Sequence, residues 1–429
     1  MSALDQYVDH IRRLSGDKKY SELAQSLLIS NIFHKNIQHI ENILTTFALP
    51  EHTLCALGAL HTIARGPNIP DFDRYLTQME IFTQTCSAEQ IQYLPHFICD
   101  ICHVITERLR QNRTRSGIAF LFRTIELVRH EPGQLLSIHS DLYQLCLLAQ
   151  WFEPALHYLD TDIIEINREN GRFDVKYLLL YYYYGGMIYT CVKQYDRALN
   201  FFENVLTVPA NVTSLIMIEA YKKYTLVKLI VATSLSTTTT NTTSSSSLSG
   251  LPSYISRSSV QAMKSLCTTY TELANLFSNN DLQHYQEFIH RHQEQFQKDK
   301  NLGLVKQTLN SFICHSIQQL TKTFLTVSLN DLAQRVKLKS SQEAEKYLLD
   351  MIENGQIFAS LNKKDGMVIF HGCPENFDSN AMILKLQEET EKCMIAEKQL
   401  RELEKNLALS KTYIQRVLSM THDRSKMLL

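Results

Sequence analysis

The hydrophobic pattern of residues 303–371 constrains the fold most, because it changes between helical and strand periodicity in a fixed order. A helical segment comes first, and the β-branched and aromatic run Phe324–Val327 predicts a short strand. Ser328 and Ser340 each precede an acidic residue by three positions, which indicates two helix N-termini. Asp365, followed by glycine, predicts the turn of a final hairpin.

This order of helix, strand, two helices and hairpin is that of a winged helix. Before it the chain shows helical spacing, broken at intervals of about one helix or one helix pair. The breaks lie at Pro50, Gly66-Pro67, Pro95, Pro132-Gly133 and Pro154. The predicted fold class is therefore mostly α: an α-solenoid of tetratricopeptide-like (TPR-like) helical repeats, followed by a winged helix and a long C-terminal helix.

The clearest repeat lies in residues 182–209, where small and aromatic residues alternate at the offsets of a TPR-like helix pair. These positions are Gly186, Tyr189, Ala198 and Phe202. We expect Gly186 to let the second helix approach the first closely, and Ala198 to face it. A weaker copy is predicted around Tyr143 and Ala155. Tyr181–Tyr184 could form a stacking platform for bases, but consecutive helical residues point in different directions, so core packing is the preferred interpretation.

A composition change interrupts the helical pattern at residues 234–250, which are almost entirely Ser and Thr. Side chains of this kind bury too little apolar surface to offset the entropy of ordering the backbone. We therefore predict a disordered loop inserted between two helices.

A long amphipathic helix is predicted from about Asn380 to Leu418. Apolar residues recur along it at alternating steps of four and three, which is typical of a bundle or coiled coil. The residues we assign to this C-terminal seam are Leu400, Leu403, Leu407, Ile414 and Val417. The seam is too thin and too long for this chain to bury alone, so we expect a bundle with helices of partner subunits; folding back onto the helical arm is the alternative.

Charge and cysteine usage exclude several classes of protein. The chain has 43 Lys+Arg against 44 Asp+Glu, a formal net charge of −1, so nothing steers it onto polyanions or acidic lipid. No apolar run approaches the roughly 20 residues that span a bilayer, and the amphipathic N-terminus is unlike a secretory signal. Ten cysteines without a framework pattern favour a reducing compartment, and we expect cytoplasm and nucleus.

Two motifs suggest metal or haem chemistry. Residues 99–103, Cys-Asp-Ile-Cys-His, match the haem-attachment pentapeptide, but they lie in an apolar helical run. His284, His290 and His292 lie near two glutamates, yet the segment has the composition of a solvated helix face. The chain contains no phosphate-binding glycine loop, H-E-x-x-H helix or nucleophile elbow. We therefore predict no enzyme activity, cofactor or metal.

The last helix of the predicted winged helix, Gln342–Asn354, would be the recognition helix that enters the groove of a DNA duplex. It carries four acidic residues against the single Lys346, whereas duplex binding draws on Lys and Arg contacts to phosphates. A protein-interaction role is preferred, and nucleic acid is an improbable partner.

Several strings resemble the COP9 signalosome subunit 3 family, within the wider PCI proteins of the proteasome lid, COP9 signalosome and translation initiation factor three. In the winged helix they are GLVKQ, LTKTFLTVSL, QEAEKYLLDMIENGQIFAS and KKDGMV; earlier they are SIHSDLYQLCLLAQ, KYLLLYYYYGGMIYT and EAYKKYTLVKLI. The resemblance implies three parts. They are an N-terminal helical-repeat arm (1–195), a PCI domain (196–371, with helical part 196–302 and winged helix 303–371), and a C-terminal bundle helix and tail (372–429).

The same resemblance implies a non-catalytic scaffold that supports removal of Nedd8 from cullin-RING ubiquitin ligases and so regulates ubiquitin-dependent degradation. Catalysis is then expected on another, metalloprotease subunit. PCI proteins continue the sheet edge of the winged helix into a neighbour, which implies interface positions at Ile357, Phe358 and Ile369. The alternative is a PCI scaffold of the proteasome lid, or of a translation-initiation or RNA-export complex with nucleic-acid contacts.

Overall fold

A computed structural model describes residues 3–29, 32–35, 40, 44, 47–66, 71–110, 114–129, 131–167, 169–209, 212–235, 251, 255, 257–279, 281–372, 380–411 and 413–418. The chain divides into two compact units, Met1–Gln356 and Ile357–Leu429. The domain boundaries predicted after residues 195 and 371 stay predictions.

The first unit is built almost entirely of helices, in agreement with the predicted fold class. Up to residue 191 they are α1 (Ala3–Gly16), α2 (Tyr20–Ile29), α3 (Ile32–Lys35), α4 (Thr53–Arg65), α5 (Phe72–Thr85), α6 (Ala88–Ile91), α7 (Pro95–Leu109), α8 (Thr114–Val128), α9 (Ile138–Ala149), α10 (Glu153–Leu159) and α11 (Val175–Cys191). Two short strands, β1 (Gln134–Leu135) and β2 (Glu165–Ile166), pair in parallel.

The helices continue to residue 353. They are α12 (Tyr195–Thr207), α13 (Leu215–Leu235), α14 (Arg257–Leu266), α15 (Thr268–Ser278), α16 (Leu282–Arg291), α17 (Gln293–Lys298), α18 (Leu302–Thr323), α19 (Leu329–Val336) and α20 (Ser341–Glu353), with strand β3 (Thr326–Ser328) before α19. Helix α13 ends at Leu235, and the rest of the Ser/Thr segment 234–250 lies outside the described residues.

The predicted helix pair in residues 182–209 corresponds to α11 and α12, and its close packing is confirmed. A Cβ built on Gly186 would lie 2.7 Å from the ring of Phe202, so only glycine allows this approach. Ala198 is fully buried, and the Tyr189 hydroxyl donates to the Leu159 carbonyl at 2.9 Å. Tyr181 is also buried, with its ring 5.2 Å from that of Tyr143, as core packing predicts.

The predicted winged-helix elements occur in the expected order, with shifted boundaries. The Ser328 hydroxyl accepts from the Asp331 N–H at 3.1 Å and begins α19 as predicted. The strand predicted at 324–327 is found at Thr326–Ser328, because the Phe324 N–H still bonds the Leu320 carbonyl of α18. The preceding helix therefore takes up the start of the aromatic run.

The second unit holds a hairpin and one long helix. Strands β4 (Ala359–Asn362) and β5 (Met367–Phe370) pair antiparallel, with Ser360 opposite Ile369. The hairpin turn is as predicted: Gly366 has a φ of +63°. The alternating apolar pattern predicts the first hairpin strand at Gln356–Leu361, but β4 starts only at Ala359. The Gln356 N–H still bonds the Met351 carbonyl at the end of α20. Helix α21 runs Asn380–Leu409.

Candidate interaction surfaces

The C-terminal seam is exposed to solvent along its whole described length. Its five residues are between 40% and 66% exposed. Ion pairs lie along the same helix, such as Lys392 with Glu389 at 3.1 Å and Arg401 with Glu397 at 2.7 Å. They provide solubility without covering the seam. An apolar stripe of this length in water is typical of a protein-binding surface.

The helix is interrupted at Ser410, which the sequence pattern did not predict. The Ser410 hydroxyl accepts from the Tyr413 N–H at 3.3 Å, as at a helix N-terminus, and residues 413–418 are helical again. The seam residues Ile414 and Val417 therefore follow a break rather than continue one helix to Leu418.

The hairpin places the three predicted edge residues in different environments. Ile357 is only 5% exposed, so its side chain is enclosed within this chain and is not available to a partner. Phe358 is half-buried, and its carbonyl accepts from the His371 N–H at 2.7 Å. Ile369 is 41% exposed, while its neighbour Val368 is fully buried. Of the three, Ile369 offers the accessible apolar surface.

Helix α20 presents an acidic surface, as its sequence predicts. Glu343 serves the helix start: its N–H donates to the Ser340 hydroxyl, and its carboxylate accepts from the Lys339 N–H, both at 3.2 Å. Asp350 and Glu353 are exposed. Such a surface repels the phosphates of a duplex.

The two motifs that suggest metal or haem chemistry are ordinary parts of helices. Cys99 and Cys102 are buried in α7, and burial raises the pKa of both thiols well above the usual value. His284 lies 2.6 Å from Asp281, one helical turn away. Within the described ranges no group of three or more His, Cys, Asp or Glu residues is arranged to hold a metal ion.

The sequence analysis missed a contact between two ionisable side chains, the half-buried His103 and the buried Asp141. His103 Nδ1 on α7 lies 2.5 Å from Asp141 Oδ2 on α9, and its ring stacks on Tyr177 at 4.5 Å. Burial disfavours the charged imidazole, but the Asp141 carboxylate outweighs it and raises the pKa of His103 above the usual value. The partners are 38 residues apart. The sequence signal for this contact was weak: one polar residue in each of two apolar helical segments.

A second charged contact joins α4 to α7. The Asp100 carboxylate lies 3.1 Å from both His61 Nε2 and Arg65 Nη2. Burial would raise the pKa of Asp100, but the hydrogen bond from His61 and the Arg65 charge leave it below the usual value. Both contacts tie repeat helices together.

Comparison with known families covers both halves of the chain. Residues 17–248 match the model described as COP9 signalosome complex subunit 3, N-terminal helical repeats, and residues 282–372 match the PCI domain. The described part of the chain contains no helix with the length and apolarity needed to cross a membrane.

Two relatives are similar over nearly their full lengths. The chain is 37% identical to the COP9 signalosome complex subunit 3 of Drosophila melanogaster, over 98% of this chain and 96% of the relative. It is 33% identical to the protein of the same description from Dictyostelium discoideum, over 89% of each chain.

Proposed function

Since the chain belongs to the COP9 signalosome subunit 3 family, we propose that it is a non-catalytic scaffold subunit of that complex. In this role it supports the removal of Nedd8 from cullin-RING ubiquitin ligases, and so regulates ubiquitin-dependent degradation. The observation that carries the proposal is the C-terminal seam, whose five apolar residues are all exposed. An exposed apolar stripe stabilises a protein only when another protein covers it.

The proposed partners are other subunits of the complex. One contact is a helical bundle formed through the C-terminal seam, and the other continues the sheet from its edge strand β4 into a neighbouring sheet. Ile369 lies opposite Ser360, so one face of the hairpin combines an apolar and a small polar side chain. Cullin-RING ligases are reached through the complex as a whole.

The isopeptidase chemistry is assigned to a different, metalloprotease subunit. His290-Arg-His292 is the only H-x-H sequence in this chain, and no aspartate follows it at the spacing of the metalloprotease motif. We also propose a cytoplasmic and nuclear location. The nine described cysteines are all free thiols, which fits a reducing compartment.

Affinity purification of the tagged chain from its own cells tests the proposal. We expect stoichiometric recovery of the other subunits, together with an activity that removes Nedd8 from a cullin. The tagged chain without partners, or with the proteasome lid instead, would contradict it. Depletion of the chain should lower cullin deneddylation, while the purified chain alone should show none.

A further inference from the structure

An apolar groove lies on the surface of the helical-repeat arm, between α8 and the start of α10. Its cavity of about 410 Å³ falls within the size range of binding pockets for side chains and small ligands. The lining residues are Ile118, Ala119, Phe122, Arg123, Trp151, Glu153, Pro154 and His157. Ala119 is exposed and Phe122 half-buried, and Trp151 is 41% exposed. An indole in this position leaves a large apolar face in water.

The groove is preformed, because Tyr158 of α10 fixes that helix against α8. Its hydroxyl donates to the Glu126 carboxylate at 2.8 Å, and its ring packs against Phe122 at 5.2 Å. The Arg129 guanidinium lies over the same ring, 5.2 Å from its centre. A rigid groove saves a ligand the entropy cost of ordering its site.

The charges around the groove point to the chemistry of its occupant. Arg123 lines the groove, and Arg115 lies about two turns earlier on α8, on the same side of the helix as the lining residue Ala119. Both are exposed, and in the described part of the chain neither has an ion-pair partner. The opposite wall carries one carboxylate, Glu153. The rim is thus basic on the α8 side.

We propose that this groove docks a linear segment of a partner protein, with bulky apolar side chains inserted beside Trp151 and acidic side chains paired with Arg115 and Arg123. The apolar floor requires apolar anchors, and guanidinium groups select carboxylates through paired hydrogen bonds. Two arginines facing a glutamate are too few cations to hold a nucleic acid. Apolar anchors beside carboxylates are what an acidic, hydrophobic peptide supplies.

Trp151 is the only tryptophan in the chain, so its fluorescence reports on this groove alone. The probe is a library of random linear peptides displayed on phage, selected against the full-length chain. We expect enriched peptides that combine bulky apolar and acidic residues. When synthesised, these peptides should shift the Trp151 emission to shorter wavelength as the indole leaves water.

Two variants decide the assignment. Ala119→Arg places a long charged side chain in the groove at an exposed helical position, and should abolish binding while the thermal melting curve is unchanged. Arg123→Glu should weaken the acidic peptide about tenfold or more, and a peptide with lysine in place of its acidic residues should recover the loss. Lys306→Glu, the same charge change at an exposed site on α18, is the matched control and should have no effect.

The proposal is wrong if no peptide distinguishes the unmodified chain from Ala119→Arg, or if the enriched peptides are basic. It is equally wrong if the Trp151 emission shifts with protein concentration alone, because a second copy of the chain would then occupy the groove. Neither result depends on whether the chain scaffolds the complex.

Discussion

At the residue scale, Gly186 marks the tightest helix contact of the repeat pair. Because an added Cβ would lie 2.7 Å from the Phe202 ring, Gly186→Val must displace that ring or the helix. We expect a loss of about 1–3 kcal/mol in the free energy of unfolding, which is typical of overpacking, measured by urea titration followed by circular dichroism.

Gly303→Val is the matched control, because Gly303 is a helical glycine with no neighbouring atom within 4 Å of an added Cβ. Its effect should stay within about 0.5 kcal/mol. Equal losses in both variants would show that the helix pair relaxes around Gly186 at no cost.

The contact between His103 and Asp141 makes part of the stability depend on pH. The pKa of His103 is raised in the folded chain, so its contribution is complete below the unfolded value of about 6.5 and is lost as the pH rises through the folded value. The difference in unfolding free energy between the unmodified chain and His103→Gln should therefore be largest below about pH 6.5 and shrink above it.

Asp141→Asn provides an independent check, since it keeps the His103 ring but removes the charge that raises its pKa. The difference in unfolding free energy between Asp141→Asn and the unmodified chain should shrink over the same pH range. A difference that grows with pH in either variant would reverse the assigned sign. The pKa shift of His139 has the opposite sign, because burial lowers its pKa to about 4. This residue therefore serves as an internal reference.

At the element scale, the hairpin places an exposed side chain, Ile369, next to a fully buried one, Val368. Ile369→Lys changes an exposed side chain, so the melting temperature should stay the same while incorporation into the complex falls. Val368→Lys would bury a charge and should unfold the hairpin. Recovery of partner subunits by the tagged variants measures the first effect, and normal assembly of Ile369→Lys would exclude this face as the interface.

The C-terminal seam allows a test with matched charge. Leu400→Asp combined with Leu407→Asp adds two negative charges to the seam, and Lys398→Gln combined with Lys405→Gln makes the same net change on the opposite side of α21. Burial of a leucine contributes about 1.5–3 kcal/mol, so the first pair should strongly reduce co-purification of partner subunits. The second pair should assemble normally, and equal loss in both would indicate a general charge effect.

The elements could be predicted from sequence wherever the signal is local. Ser328, Ser340 and Gly366 shape their own caps and turn through contacts within a few residues. The strand starts were misplaced because the decisive bonds, from Phe324 to Leu320 and from Gln356 to Met351, belong to the preceding helices. Helix propensity alone did not reveal that Ser410 would interrupt the last helix.

At the scale of the whole molecule, the chain's surfaces depend on contacts that sequence spacing does not reveal. Exposure of the C-terminal seam was predictable because its period is regular, whereas enclosure of Ile357 depends on the packing of neighbouring elements. The groove beside Trp151 was missed for the same reason: α8 and α10 are separated in sequence by a third helix, and they come together through tertiary contacts such as the hydrogen bond from Tyr158 to Glu126.

The charge of the molecule predicts that it does not bind nucleic acid at physiological salt. The chain has a net charge of −1, and α20 carries four acidic residues against one lysine, so the helix that would enter a duplex has too few cations to release counterions from the phosphate backbone. Fluorescence anisotropy with labelled duplex DNA and RNA should therefore show no saturable binding at physiological salt. Binding in the micromolar range at physiological salt, with a steep salt dependence, would instead favour a nucleic-acid adaptor and count against a purely protein-binding winged helix.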